Sequence, residues 1–110
     1  MLNQVVLVGR LVKEVEVKKL EDGKREANIT LAIPRSWKNS EGLYDTDFID
    51  CIIYDSVADN TSEYCHKGDI IGIKGRVQSK KYPREDGSSY NMTEIIAEKV
   101  TFLSSKKVDE

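Results

Sequence analysis

The chain has 110 residues, 39% hydrophobic and 33% charged, enough for one well-solvated domain with a real core and too few for two. No apolar run approaches the ~18 residues that cross a bilayer, and the start MLNQVVLVG lacks a basic region ahead of its apolar stretch, so a cytoplasmic protein without a membrane partner is expected. The net charge of −2 speaks at first sight against a nucleic-acid partner, and one histidine with two cysteines, Cys51 and Cys65, makes neither a disulfide framework nor a zinc set.

Residues 4–12, QVVLVGRLV, open as an apolar strand interrupted by Gly9, and 14–18, EVEVK, alternate strictly. A glycine inside a strand pattern marks a bulge or sharp bend, so one long coiled strand is expected over 4–18. Asp22-Gly23 is a hairpin turn. Ala27, Ile29, Leu31 and Ile33 then alternate with Asn28, Thr30 and Ala32, which predicts a half-buried strand that Pro34 ends. Residues 34–46 read as a long polar loop around Trp37, the only tryptophan, which stands between Arg35 and Lys38.

The next strand, 47–55, puts Ile49, Cys51 and Ile53 on one face and Phe48, Asp50, Ile52 and Tyr54 on the other. Residues 56–66 are the one helical candidate. Ser56 can cap it, Gly68 follows its end, and a thin stripe of Val57, Thr61, Tyr64 and Cys65 suits a short helix plugging a barrel, with Tyr64 assigned to packing. Residues 67–77, KGDIIGIKGRV, return to strand with Ile71, Ile73, Gly75 and Val77 inward and Lys74 and Arg76 outward, and Gly72 and Gly75 predict strong curvature. Residues 78–82 and 89–93 flank a second hairpin turn, Glu85-Asp86-Gly87, and the last strand runs over about 92–103. A domain over 1–103 with a short frayed end, 104–110, is expected.

Three strands, one short helix and two strands, bent in the first and fourth, predict an all-β fold. It is a five-stranded Greek-key barrel of the OB type, with the helix between strands three and four.

The charge is unevenly spread. From His66 to Arg84 six cations (Lys67, Lys74, Arg76, Lys80, Lys81 and Arg84) face one acid, Asp69, while the acids gather at 14–26, 41–50 and the C-terminal end. The local field governs partner choice more than the total. Every base has a π-face, so aromatic side chains bind single strands with little regard to sequence, at roughly 1–3 kcal/mol per stack. Cations among them hold the phosphates. Phe48 and Tyr54, six residues apart on a strand, share a face at about 20 Å. With Tyr82 at a hairpin tip and Trp37 on a loop, and with Arg35, Lys38, Lys74, Arg76, Lys80, Lys81 and Arg84 nearby, they make a groove for an unwound strand.

An enzyme's constellations are missing. There is one histidine, no P-loop, no metal-ligand motif and no nucleophile elbow, so no catalytic residue, metal or cofactor is expected.

The segments NQVVLVGRL, ANITLAIPRSW, DFIDCIIYD, SEYCHKGDIIGIKGRV and SKKYPREDG resemble the OB domain of bacterial single-stranded DNA-binding proteins, over roughly residues 2–103. The resemblance implies sequence-tolerant binding of single-stranded DNA, protecting it during replication, recombination or repair. It implies stacking at Trp37, Phe48, Tyr54 and Tyr82, of which Phe48 and Tyr82 stand where many members carry tryptophan. Lys38, Lys67, Lys80 and Lys81 fall at or beside cation positions of that family. Its members pair the first strand across a two-fold and form tetramers. Residues 3–12 are more apolar than one barrel face can bury, so a homo-oligomer with Val6 and Val8 near the contact is expected.

Two departures stand out. Asp50 and Asp55 lie on or beside the binding strand, where relatives often present basic or small residues. The long tail with an acidic, hydrophobic tip is absent, so recruitment of replication partners through such a tip is not expected. The alternative on the same fold is an assembly or adaptor protein of a primosome-like complex, with nucleic-acid binding secondary. The interleaved aromatic and basic rim favours DNA binding.

Overall fold

The computed structural model describes residues 1–105, and the rest of the expected tail, 106–110, lies outside the described residues. In chain order its elements are β1 (Val5–Leu11), β2 (Lys18–Lys19), β3 (Arg25–Lys38), β4 (Tyr44–Tyr54), α1 (Asp55–Tyr64), β5 (Ile70–Pro83) and β6 (Ser89–Ser104). The strands form one sheet ordered β1-β5-β6-β4-β3-β2, and β1 also pairs with β3 at Arg10↔Ala32 and Leu11↔Leu31. That second pairing closes a barrel of five long strands, with the two-residue β2 as a stub on β3. The β4–β6 seam is short and parallel, and the remaining pairs are antiparallel. The helix falls between the third and fourth long strands, as the OB order requires.

The core follows from the period-two alternation. Ala27, Ile29 and Leu31 of β3, Cys51 and Ile53 of β4, and Ile71 and Ile73 of β5 are buried together, and α1 adds Ala58 and Thr61 from one end. Burial next to Asp50 pushes the Cys51 thiol up to about 11, so it is a packing residue and not a reactive one.

Two glycines make the closure possible. At Gly9, where β1 crosses β3, a Cβ would stand 2.8 Å from Ile33 Cγ1 and 2.9 Å from the Ala32 carbonyl oxygen. At Gly75 a Cβ would collide with the Ile96 carbonyl oxygen, beside a register shift between Lys74 and Gly75. The register shift at Gly75 is the irregularity expected in the fourth strand, whereas at Gly9 the ladder to β5 runs without a shift and the glycine serves the close approach to β3.

Several local expectations are corrected. The first strand does not run unbroken over 4–18: β1 stops at Leu11, because the barrel closes there and the chain leaves the ladder. Val15 and Val17 still pack on the core, which explains their alternation without strand pairing. Pro34 does not end β3. It pairs with Thr46 at the start of an irregularity that runs to Lys38, and a proline without an N–H is tolerated where the ladder is already disrupted. The long loop over 34–46 therefore shrinks to a tight turn, and Trp37 lies on a strand.

Ser56 is not the helix cap. Tyr54 occupies that position without a side-chain cap bond, and Asp55 turns the chain with φ 48° while its carboxylate accepts the Arg25 amide at 3.0 Å. Tyr64, expected in packing, is 65% exposed, because the inward stripe is completed by Ala58, Thr61 and Cys65. Val77 is also exposed, since beyond Gly75 the strand has left the core.

Three hairpins share one device. In residues 20–24, 39–43 and 84–88 the first amide bonds the fifth carbonyl, and a glycine in fourth place bonds back to the first carbonyl. Gly23, Gly42 and Gly87 take φ of 86°, 80° and 88°, the left-handed conformation that a three-residue loop needs. No helix among the described residues is long and apolar enough to cross a membrane.

Candidate nucleic-acid interface

Strand β4 presents an open outer face because its outward residues cannot enter a core already filled by Cys51 and Ile53. Phe48 is 65% exposed opposite Ala32, and Asp50, Ile52 and Tyr54 follow on the same face opposite Thr30, Asn28 and Glu26. Tyr54 is half-buried. Its phenol is raised above the ordinary value, by burial first and then by Glu26 and Glu94, with Arg76 opposing.

Beyond Val77, β5 and β6 extend as a two-stranded arm. Tyr82 and Tyr90 face each other across it, rings stacked at 5.7 Å. The Tyr82 hydroxyl donates to Glu94 at 2.7 Å. The Lys80 ammonium lies 5.4 Å from the Tyr82 ring and the Arg84 guanidinium 5.0 Å from the Tyr90 ring. Between the root of this arm and the β3–β4 face is a cleft of about 370 Å³, lined by Lys13, Asn28, Asp50, Ile52, Met92 and Glu94 among others.

The far end of the β3–β4 hairpin carries a second group. Trp37 is 61% exposed, with the Arg35 guanidinium 5.6 Å from its ring, and Lys38 stands 5.9 Å from the Tyr44 ring. Arg35 is already committed. Its Nη2 and Nε donate to Asp47 at 2.9 to 3.2 Å, and Asp45 lies 3.7 Å away. The bond from Arg35 holds the Asp47 carboxyl below its ordinary value of 3.8, so the pair persists across neutral and mildly acid pH. A guanidinium so neutralised orients the indole more than it attracts phosphate.

The expected site residues thus fall into groups. The fold gathers Phe48 and Tyr54 on β4, Lys80, Tyr82 and Arg84 on the arm, and Trp37, Arg35 and Lys38 at the hairpin end. Arg76 lies close enough to Tyr54 to act on its phenol, and pairs with Glu98 at 3.3 Å. Three cations stand elsewhere. Lys74 lies opposite Val6 and Lys99, on the outer β1–β5–β6 face. Lys67 sits in the α1–β5 turn, where its amide bonds Glu14. Lys81 lies opposite Asn91, on the other side of the arm from Lys80 and Tyr82.

Two aromatics were missed by the sequence reading, Tyr44 and Tyr90. Tyr90 was accessible by counting register back across Glu85-Asp86-Gly87, which sets it against Tyr82. Tyr44 was hidden by the assumed loop.

Val6 and Val8, 65% and 50% exposed, lie on the outer face of β1. Val8 and Leu103 flank Gly72, each within 3.7 Å of where its Cβ would stand. The same β1 segment, from Val5 to Gly9, is paired by β5 alone.

Comparison with known proteins follows the same lines. Residues 2–103 match the model of the single-strand binding protein family. Single-stranded DNA-binding protein B of Bacillus subtilis is 40% identical over 106 residues, covering 96% of this chain and 94% of that protein. Single-stranded DNA-binding protein 3 of Listeria innocua is 43% identical over 107 residues, covering 97% of this chain and 67% of that protein. Among solved structures, a Plasmodium falciparum SSB complex with ssDNA superposes with a TM-score of 0.78 at 27% identity, covering 94% of this chain and 96% of that one.

Proposed function

The chain belongs to the single-strand binding protein family, and on that premise we propose how its surface holds a strand. The protein binds single-stranded DNA, and it does so as a binding protein and not as an enzyme. Its setting is the family's general one, the opened duplex of replication, recombination and repair.

The observation that carries the residue assignment is a repeated pairing of ring and cation. Arg35 with Trp37, Lys38 with Tyr44, Lys80 with Tyr82 and Arg84 with Tyr90 stand 5.0 to 5.9 Å apart, on the hairpin end and the arm. Each pair offers a face for a base, and Lys38, Lys80 and Arg84 add a positive charge for the adjoining phosphate. Phe48 and Tyr54 supply stacking faces between the two groups, with Arg76 beside Tyr54. Lys67, Lys74 and Lys81 act only on a strand that wraps beyond these groups.

A homo-oligomer accompanies this reading. Its support is the exposed Val6, Val8 and Leu103 together with the open edge of β1, since an edge of that kind calls for pairing or cover. A closed dimer, assembling further to a tetramer, satisfies both. A cytoplasmic location fits the same reading.

Titration of the single tryptophan's fluorescence with oligo-dT, duplex and RNA of equal length tests the binding mode. Quenching by oligo-dT and none by duplex is expected. Equal response to duplex would defeat the stacking mechanism.

A further inference from the structure

The cleft at the root of the arm differs from the ring-and-cation pairs, because two carboxylates, Asp50 and Glu94, line it in the path of a polyanion. We propose that Asp50 and Glu94 make this cleft a base-reading subsite, accepting hydrogen bonds from the exocyclic amine of a cytosine, adenine or guanine and disfavouring thymine. The proposal rests on the strand-binding reading above.

Position comes first. Asp50 is two residues from Phe48 on the same face of β4, and Glu94 holds the Tyr82 hydroxyl at 2.7 Å. A strand that stacks on both aromatics crosses the cleft between them. At about 370 Å³, with Ile52 and Met92 as apolar walls, the cleft lies within the range of small-molecule sites and suits one planar ring.

Charge then decides which part of the nucleotide enters. Two carboxylates, Asp50 and Glu94, line the cleft with one ammonium, Lys13, so a phosphate is repelled by the first and drawn to the second. Only a base edge approaches the carboxylates without that repulsion. One Asp50 oxygen accepts the Thr30 hydroxyl at 2.6 Å, which fixes the carboxylate and leaves its second oxygen for the strand. Glu94 is held at both oxygens, closely by the Tyr82 hydroxyl at 2.7 Å and more loosely by the Gln78 amide at 3.5 Å, so a base amine competes only with the looser bond.

The donor count sets the preference. An ionised carboxylate accepts and cannot donate. Cytosine presents its N4 amine and adenine its N6 amine, whereas the edge of thymine that pairs with adenine carries two carbonyls and a single N3–H. A carboxylate accepting from cytosine N4 is an established mode of base discrimination.

Affinities of the intact chain for oligo-dC and oligo-dT of equal length, at one salt concentration, test this by comparison with Asp50→Asn and Glu94→Gln. The readout is the dC-to-dT affinity ratio, which cancels the general gain from removing a negative charge. Asp50→Asn should lower that ratio roughly three- to tenfold, since the amide can also donate to a thymine carbonyl. Glu94→Gln should move it in the same direction. Asp50 is exposed, so the variant should keep the circular dichroism of the parent. A ratio that stays within twofold in both variants, while both bind, overturns the subsite alone. Failure of the parent to bind either homopolymer defeats the strand-binding reading, and the subsite with it.

Discussion

A largely exposed indole at the end of β3 contributes little to the core, so its removal separates binding from folding. Trp37→Ala should weaken single-strand binding by about 1–3 kcal/mol, roughly 5- to 150-fold, and leave the denaturation midpoint nearly unchanged. Loss of the folded state in that variant would make Trp37 a packing residue. Lys80→Ala should differ in kind. It should reduce the slope of log K against log salt by about 0.7, the amount for one phosphate contact on a single strand, and an unchanged slope would remove Lys80 from the path. Tyr82 gives a pH signature. Its bond to Glu94 first, then burial and the Glu94 charge, raise the phenol above its ordinary 10.0. The folded state then holds that proton more tightly than the unfolded state. The pair's stabilisation is complete below 10.0 and is lost as pH rises through the higher folded value. Phenolate absorbance should show two late-ionising groups, Tyr54 and Tyr82, of which one disappears in Tyr82→Phe and ionises earlier in Glu94→Gln.

At the scale of elements, two glycines serve different ends and should respond differently to a methyl group. Gly75 sits in a bulge where a Cβ would collide with the Ile96 backbone, so Gly75→Ala must open β5 from β6. A loss of about 3 kcal/mol is expected, the upper part of the usual range for forced overpacking. Gly42 has open space around it and only a left-handed φ to maintain. Gly42→Ala should lose about 1 kcal/mol. Denaturant midpoints compare them directly, and equal losses would mean that the bulge yields easily. The turns at 20–24 and 84–88 were legible beforehand, because Asp-Gly pairs between alternating segments have one economical conformation, while the turn at 39–43 was hidden inside the assumed loop. The continuation of β3 through Pro34 was not. Whether a proline ends a strand depends on whether the partner strand needs its N–H, and that partner is the non-adjacent half of a hairpin.

For the whole molecule, a net charge of −2 is compatible with the proposed DNA binding because individual cations, Lys38, Lys80 and Arg84, stand beside aromatic rings on the hairpin end and the arm, where the local field acts. A further patch of exposed apolar side chains, Val6, Val8 and Leu103, lies on the β1–β5–β6 side. Light scattering at micromolar concentration should give a closed oligomer, and Val6→Asp with Val8→Asp should reduce its mass while the circular dichroism is kept. A monomeric parent would remove the reason for the exposed valines. If binding weakens in the monomer without any change in Trp37 quenching, the strand is wrapped over more than one copy.

By itself the sequence determined what alternation and turn chemistry determine: the strand order, the inward set Ile29, Leu31, Cys51, Ile53, Ile71 and Ile73, and the outward set Phe48, Asp50 and Tyr54. These depend on period two and on neighbours along the chain. Only the tertiary structure decided which exposed groups meet. Lys74 went to the face of Val6, Lys81 to the far side of the arm, and Arg35 to Asp47. Tyr90 came under Arg84, and Asp50 came into one cleft with Glu94. Each of these depends on cross-strand register and on where a barrel closes. Both are set by contacts between residues far apart in the chain, and no local pattern encodes them.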